Sequence, residues 1–196
     1  MAPTRRAVRT AGGNIAPKRA YTIGHGTLPA SDFLALLRGA RIVAIADVRT
    51  VPRSRHNPQY ESDSMRLWLT EGGVAYAHYK ALGGWRRPRS DSPNFVLRNA
   101  AFRGYADYML TDEFSQAVDF TMPELERQAT ALMCSESVWW RCHRRLLADY
   151  LVLARGWEIL DLSHDGKAKP HLLTPGVRPS LRRGASVLRR RLRRFG

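Results

Sequence analysis

Only two cysteines, Cys134 and Cys142, occur in the 196 residues of this chain. Two thiols supply no disulfide framework, and their scarcity fits a reducing compartment, so a cytoplasmic protein is expected. Long hydrophobic runs are missing as well. A membrane helix needs about 18 consecutive apolar residues, and the best run, Leu146 to Ala154, is broken by Asp149. No membrane partner is expected. The N-terminal arginines are followed by no apolar segment, so a secretory signal is not expected either. Internal repeats and Cys-x-x-Cys motifs are lacking, and no residue pattern names a cofactor.

Acidic residues are absent from both ends. Residues 1–19 carry Arg5, Arg6, Arg9, Lys18 and Arg19, and residues 178–196 carry eight arginines, with no carboxylate in either stretch. Those 13 cations account for nearly all of the net charge of +15, leaving 19 cations against 17 acids in between. The expected organisation is a basic disordered N-terminal tail over 1–19, one α/β domain over 20–177 and an Arg-rich C-terminal tail over 178–196. Tails of this kind bind polyanions by counterion release without reading sequence, so nucleic acid is the expected partner.

The middle of the chain alternates short apolar runs with amphipathic stretches. Ala20 to Ile23, Ile42 to Ala46, Val74 to Tyr79, Gln128 to Cys134 and Trp157 to Leu162 read as strands. Between them, helices are expected from Ser31 as N-cap to Gly39, over Tyr60 to Thr70, over Asn94 to Leu110, from a Thr111 cap to Phe120, and from about Cys142 to Gly156. His171 to Thr174 reads as a short extended piece. Leu188, Leu192 and Phe195 form a weak helical stripe. Alternation of this kind implies a single three-layer, Rossmann-like α/β domain with a mainly parallel sheet flanked by helices.

Ligands of such sheets bind beyond the carboxyl ends of the strands. Three polar clusters fall at those ends: Gly24-His25-Gly26, then Asp47-Val48-Arg49, then Cys134-Ser135-Glu136. Residues from opposite halves of the chain are therefore expected at one edge.

Thr22-Ile23-Gly24-His25, Asp47-Val48-Arg49 with Pro52 and Ser54, Leu82-Gly83-Gly84, Met133-Cys134-Ser135-Glu136 and Cys142-His143-Arg144 together resemble the family called domain of unknown function 488. The resemblance runs from about residue 20 to residue 175 in matching order. It implies an α/β fold and no established reaction. One departure is Gly26, where the family usually has a serine.

The residue types still limit the chemistry. A thiol at a helix entrance flanked by Arg141, Arg144 and Arg145 favours the thiolate, which makes Cys134 a candidate nucleophile. Glu136, His143 and His25 are candidate acids and bases. Asp47, Arg49, Arg53, Cys142 and Arg144 are candidate substrate contacts, the arginines for an anion. A rhodanese or phosphatase loop is excluded, because it needs an arginine six residues after the cysteine and Trp140 and Ala148 stand there. A metal is not expected: seven residues separate the cysteines, and Cys142 and His143, placed on one helix, would project about 100° apart. The expected function is an enzyme acting on a phosphate-bearing substrate, a nucleotide or nucleic acid. The alternative is a non-catalytic module binding the same ligands.

Overall fold

A computed structural model describes residues 18–182 and 185–190, with side chains through residue 177. Five strands lie parallel in the order β3-β2-β4-β1-β5: β1 (Arg19–Gly24), β2 (Ala44–Asp47), β3 (Ala75–His78), β4 (Thr130–Cys134) and β5 (Glu158–Leu162). A short β6 (Ala168–Pro170) adds antiparallel to β5. The helices are α1 (Ala30–Gly39), α2 (Ser62–Glu71), α3 (Ala100–Tyr108), α4 (Asp112–Arg127) and α5 (Arg144–Arg155).

Because successive strand residues point to opposite faces, the apolar runs build two cores. Ile23, Ile45, Ala131, Met133 and Leu162 pack with Phe33 and Leu37 of α1 and Met65 and Leu69 of α2. Ala46, Leu132, Cys134 and Ile159 pack with Tyr105 of α3, Phe114 and Val118 of α4, and Leu147 and Leu151 of α5. Both faces of the sheet are thus covered. This is why its central strands read as continuous apolar runs.

Several element ends differ from the sequence reading. α1 starts at Ala30 behind Pro29, and the Ser31 hydroxyl bonds Asp32 instead of capping the helix. Thr111 does cap α4, accepting from the Phe114 amide. That helix continues past Phe120 and through Pro123 to Arg127. Proline removes one backbone hydrogen bond, but Val118, Met122 and Leu125 keep an unbroken buried stripe across it. α3 is shorter than Asn94 to Leu110. Asn99 caps it by accepting from the Ala101 and Phe102 amides, while the preceding turn is held by buried Asp107. Its carboxylate accepts from the Arg89 amide, the Ser92 hydroxyl at 2.6 Å and the Asn94 amide group at 2.8 Å.

The last strand of the sheet is 168–170, so the extended piece expected at His171 to Thr174 begins where β6 has ended. Beyond it, β7 (Val177–Arg182) and β8 (Ala185–Arg190) pair antiparallel and lie along α5. Leu188 therefore sits in a strand, not in a helical stripe; Leu192 and Phe195 lie outside the described residues. Arg19, counted with the N-terminal tail above, opens β1, and residues 1–17 lie outside the described residues. Among the described residues, no helix is long and apolar enough to cross a membrane.

Candidate functional site

Neighbouring strands β1 and β4 send their connections to opposite faces of the sheet: β1 to α1 on one side, β4 to α5 on the other. A crevice must open between diverging chains at the carboxyl ends of two such strands. A cavity of about 390 Å³ lies there. Its lining includes His25, Arg49, Arg53, Cys134, Glu136, Cys142 and His143, together with Trp85, Asn99, Phe102 and Arg141. The sequence thus brings its three polar clusters to one edge, with residues of the 84–99 loop and the first turn of α3 added.

Backbone pairing continues past the strand ends and fixes the floor. The His25 amide donates to the Cys134 carbonyl at 3.0 Å and the Gly26 amide to the Ser135 carbonyl at 2.9 Å. Gly24 is required for this approach, since a Cβ there would strike the Glu136 carbonyl and the Arg144 guanidinium. Gly26 has φ +55°, and the Ser137 hydroxyl fills the space its side chain would take.

Asp47 and Arg49 form a buried ion pair. The Arg49 Nε lies 2.9 Å from Asp47 Oδ1 and its Nη2 2.5 Å from Oδ2, which also accepts from the Tyr76 hydroxyl at 2.8 Å. Asp47 is fully buried and does not line the cavity, so it supports Arg49 and does not face a ligand. Arg49 reaches the lining with Nη1 at 3.3 Å from His25 Nε2. His25 stacks on Tyr60 at 3.9 Å, and its Nδ1 lies 2.8 Å from the Gly26 carbonyl. Nδ1–H donates to that carbonyl, and Nε2 accepts from the guanidinium. Burial and the Arg49 charge push this imidazole down to about 4. It is neutral at pH 7, with both nitrogens engaged.

Arg144 also stands behind the lining. It is 1% exposed, with Nη1 at 2.8 Å from Cys134 Sγ and further bonds to the Glu136 and Ser137 carbonyls. Burial pulls it down to about 10, which leaves it charged at neutral pH. Its Nε has no partner among the described residues, and neither does it have a carboxylate ion pair. A buried cation without a carboxylate is costly; in the reduced chain, a Cys134 thiolate is the anion within reach.

Cys142 and His143 lie outside the helix. A one-turn 3-10 segment, Trp139–Arg141, intervenes, Cys142 is extended (φ −120°, ψ 150°), and α5 begins only at Arg144. The expectation that the two side chains diverge on a helix therefore fails. Cys142 Sγ lies 3.4 Å from His143 Nδ1, while His143 Nε2 is 3.0 Å from the Val48 carbonyl. Nε2 carries the proton it donates to Val48, leaving the Nδ1 lone pair aimed at the thiol. Burial holds His143 down at about 4. The sulfurs of Cys134 and Cys142 touch, with their Cα atoms 7.7 Å apart. The structure pairs these sulfurs as a disulfide and leaves no free cysteine among the described residues. The Cα separation lies outside the span usual for such a bond, and the chemistry argued for this site is that of the reduced pair, two thiols facing one another.

With this geometry in place, comparison with known proteins adds one match. A family model, "Domain of unknown function DUF488", covers residues 29–151, more than half of the chain. The chain belongs to this family. No curated protein and no solved structure matches. The DUF488 match takes in Asp47, Arg49, Cys134, Glu136, Cys142, His143 and Arg144, while His25 lies just ahead of it. Trp85, Asn99 and Phe102 were not among the residues singled out from sequence, and Arg141 was singled out only as a cation near Cys134; a tryptophan directly after Gly83-Gly84 was a usable signal, and Trp85 is 78% exposed.

Proposed function

We propose that the cavity at the β1/β4 carboxyl ends binds a phosphate-bearing ligand, a nucleotide or a nucleic-acid strand, and acts on it as an enzyme. One observation carries this reading: Arg49, Arg53 and Arg141 surround a cavity whose lining has a single carboxylate, Glu136, beside the aromatic faces of Trp85 and Phe102. Guanidinium groups suit phosphate and aromatic faces suit bases. The reading takes the fold as a three-layer, Rossmann-like sandwich, which the two cores on opposite faces of the sheet support. In it, Cys134 is the nucleophile favoured by Arg144, and Glu136 the acid or base with a free carboxylate. The arginines of β7 and β8, strands that lie along α5, would add positive charge for a polyanion.

A second reading, a non-catalytic binding module for the same ligands, is favoured by the engagement of both His25 nitrogens and the complete use of the Asp47 carboxylate.

Fluorescence anisotropy with a labelled single-stranded oligonucleotide and with a nucleoside monophosphate as competitor tests both. Arg53→Gln and Arg141→Gln should each weaken binding about five- to tenfold without changing thermal stability. Unaltered binding in the double variant defeats the site. Turnover in the wild type that is lost in Glu136→Gln, with binding kept, selects the enzyme; binding without turnover selects the module.

A further inference from the structure

We propose that Cys134, Cys142 and His143 form a zinc-class metal site at the floor of the cavity, with a fourth coordination position open to it, Cys134 then serving as a ligand in place of the nucleophile role given to it above.

The two Sγ atoms and an imidazole nitrogen all lie within 4.8 Å of one another. A tetrahedral zinc ion with Zn–S of about 2.3 Å and Zn–N of about 2.0 Å sets S···N edges near ~3.5 Å. The Cys142 Sγ to His143 Nδ1 separation is 3.4 Å. The sulfur pair needs only to part toward the corresponding S···S edge of roughly 3.8 Å, a rearrangement of two side chains whose Cα atoms are 7.7 Å apart.

The surroundings are those of a ligand set. A metal-binding histidine commonly donates its other ring N–H to a carbonyl or carboxylate, fixing tautomer and orientation. His143 does so toward Val48. Its ring is packed edge-on against Tyr105 at 5.1 Å, and Gly84 lies so close that a Cβ would enter it. On the sulfur side, the Arg144 guanidinium at 2.8 Å stabilises the thiolate form of Cys134.

Charge decides whether a cation fits beside arginines. Binding displaces the two thiol protons, so that one M²⁺ joins two thiolates and one neutral imidazole with no net charge. The ion therefore adds nothing to the positive field of Arg49, Arg141 and Arg144. Two thiolates and an imidazole select a borderline-soft ion such as zinc over magnesium or calcium. Three protein ligands with an open fourth position are the pattern of a reactive, not a purely structural, zinc.

The test uses the reduced full chain titrated anaerobically with cobalt(II) as the spectroscopic probe. One equivalent should produce a thiolate-to-cobalt charge-transfer band with intense tetrahedral d–d bands, and zinc should bleach both. Cys134→Ser and Cys142→Ser should each cut the charge-transfer intensity to roughly half or less, and His143→Gln should weaken cobalt binding by more than tenfold. Should a variant fold poorly, the wild type still decides: zinc must protect both thiols from alkylation, and a chelator must restore reactivity. No charge-transfer band, an undiminished band in both serine variants, or thiols that zinc does not protect overturns the proposal. So does a reduced chain that takes no ion and instead closes a Cys134–Cys142 bond under mild oxidation. None of these outcomes depends on phosphate binding.

Discussion

His171 is expected to make the folded chain less stable as pH rises through the neutral and mildly alkaline range. Its side chain is 1% exposed and lies between two buried carboxylates, with Nδ1 2.8 Å from Asp161 Oδ2 and Nε2 3.2 Å from Asp149 Oδ1. Burial alone would push the imidazole down, but the hydrogen bonds and charges of Asp149 and Asp161 outweigh it and raise it from 6.5 to about 9. Between those values the folded chain keeps a proton that the unfolded chain has released, so raising pH favours unfolding. The contribution is fully present below about pH 6.5, declines by up to about 1.4 kcal/mol per pH unit, and is gone above about pH 9. Its whole span is worth about 3 kcal/mol. Urea denaturation midpoints collected from about pH 6 to about pH 10 measure it, with His171→Gln as the reference.

The variant should be less stable than wild type by about 3–5 kcal/mol at the acidic end, because two buried carboxylates lose their cation. The gap should shrink steadily with pH. Parallel curves, or a gap that widens toward pH 10, would refute the charged-histidine clasp. Its position makes the outcome matter for the site. His171 packs edge-on against Trp139 at 5.1 Å, and Thr174 next to it accepts from Arg145 Nε at 2.6 Å and donates its amide to Asp149 at 2.9 Å. The clasp thus braces the turn that presents Cys142 and His143.

Asp107→Ala should cost about 2–4 kcal/mol and raise amide exchange over residues 89–99, since three donors lose a buried acceptor; unchanged exchange there would show that the loop holds itself. Gly84→Ala places a Cβ against the His143 ring, so it should destabilise by about 1–3 kcal/mol and, in the cobalt titration, lower affinity while leaving Cys134 and Cys142 in place. Full affinity with full stability would mean that the loop moves aside freely.

What the sequence made legible was the sheet and its useful edge. Apolar runs such as Ile42 to Ala46 and Gln128 to Cys134 report burial on both faces, and in a parallel sheet that burial also dictates where polar residues can emerge. Hence Asp47, Arg49, Cys134 and Glu136 were locatable to one edge from the sequence. A buried ion pair of Asp47 with Arg49, two residues apart, was a reading the sequence offered; pairings between side chains far apart in the chain were not legible. Arg49 is drawn to Asp47 and His25, and Arg144 turns under the loop to Cys134, so neither can be ranked as a ligand contact from its type. The 3-10 turn at Trp139–Arg141 was equally hidden. It shifts the helix start by two residues, and those two residues decide whether Cys142 and His143 diverge or meet. β7 and β8 escaped for a related reason: their arginines mask the alternation on which strand recognition depends.

The polar groups of this site divide into those already spent and those still free, and the division has consequences for mutagenesis. Asp47 holds Arg49, the Val48 carbonyl holds His143, and Arg144 holds the 134–137 loop, each from a buried position. Replacing such a group leaves a buried partner unpaired, so its cost falls on stability as well as on function. Glu136, Arg53 and Arg141 are exposed on the lining, where an altered side chain costs the fold little. Loss of activity in Asp47 or Arg144 variants would therefore be ambiguous evidence for chemistry. Loss in Glu136, Arg53 or Arg141 variants would bear directly on the ligand. Cys134 and Cys142 fall between these classes: both are buried in the core cluster, yet both reach the cavity. Serine at either position keeps the volume close to that of cysteine while removing the soft thiolate, so it separates packing from ligation more cleanly than alanine would.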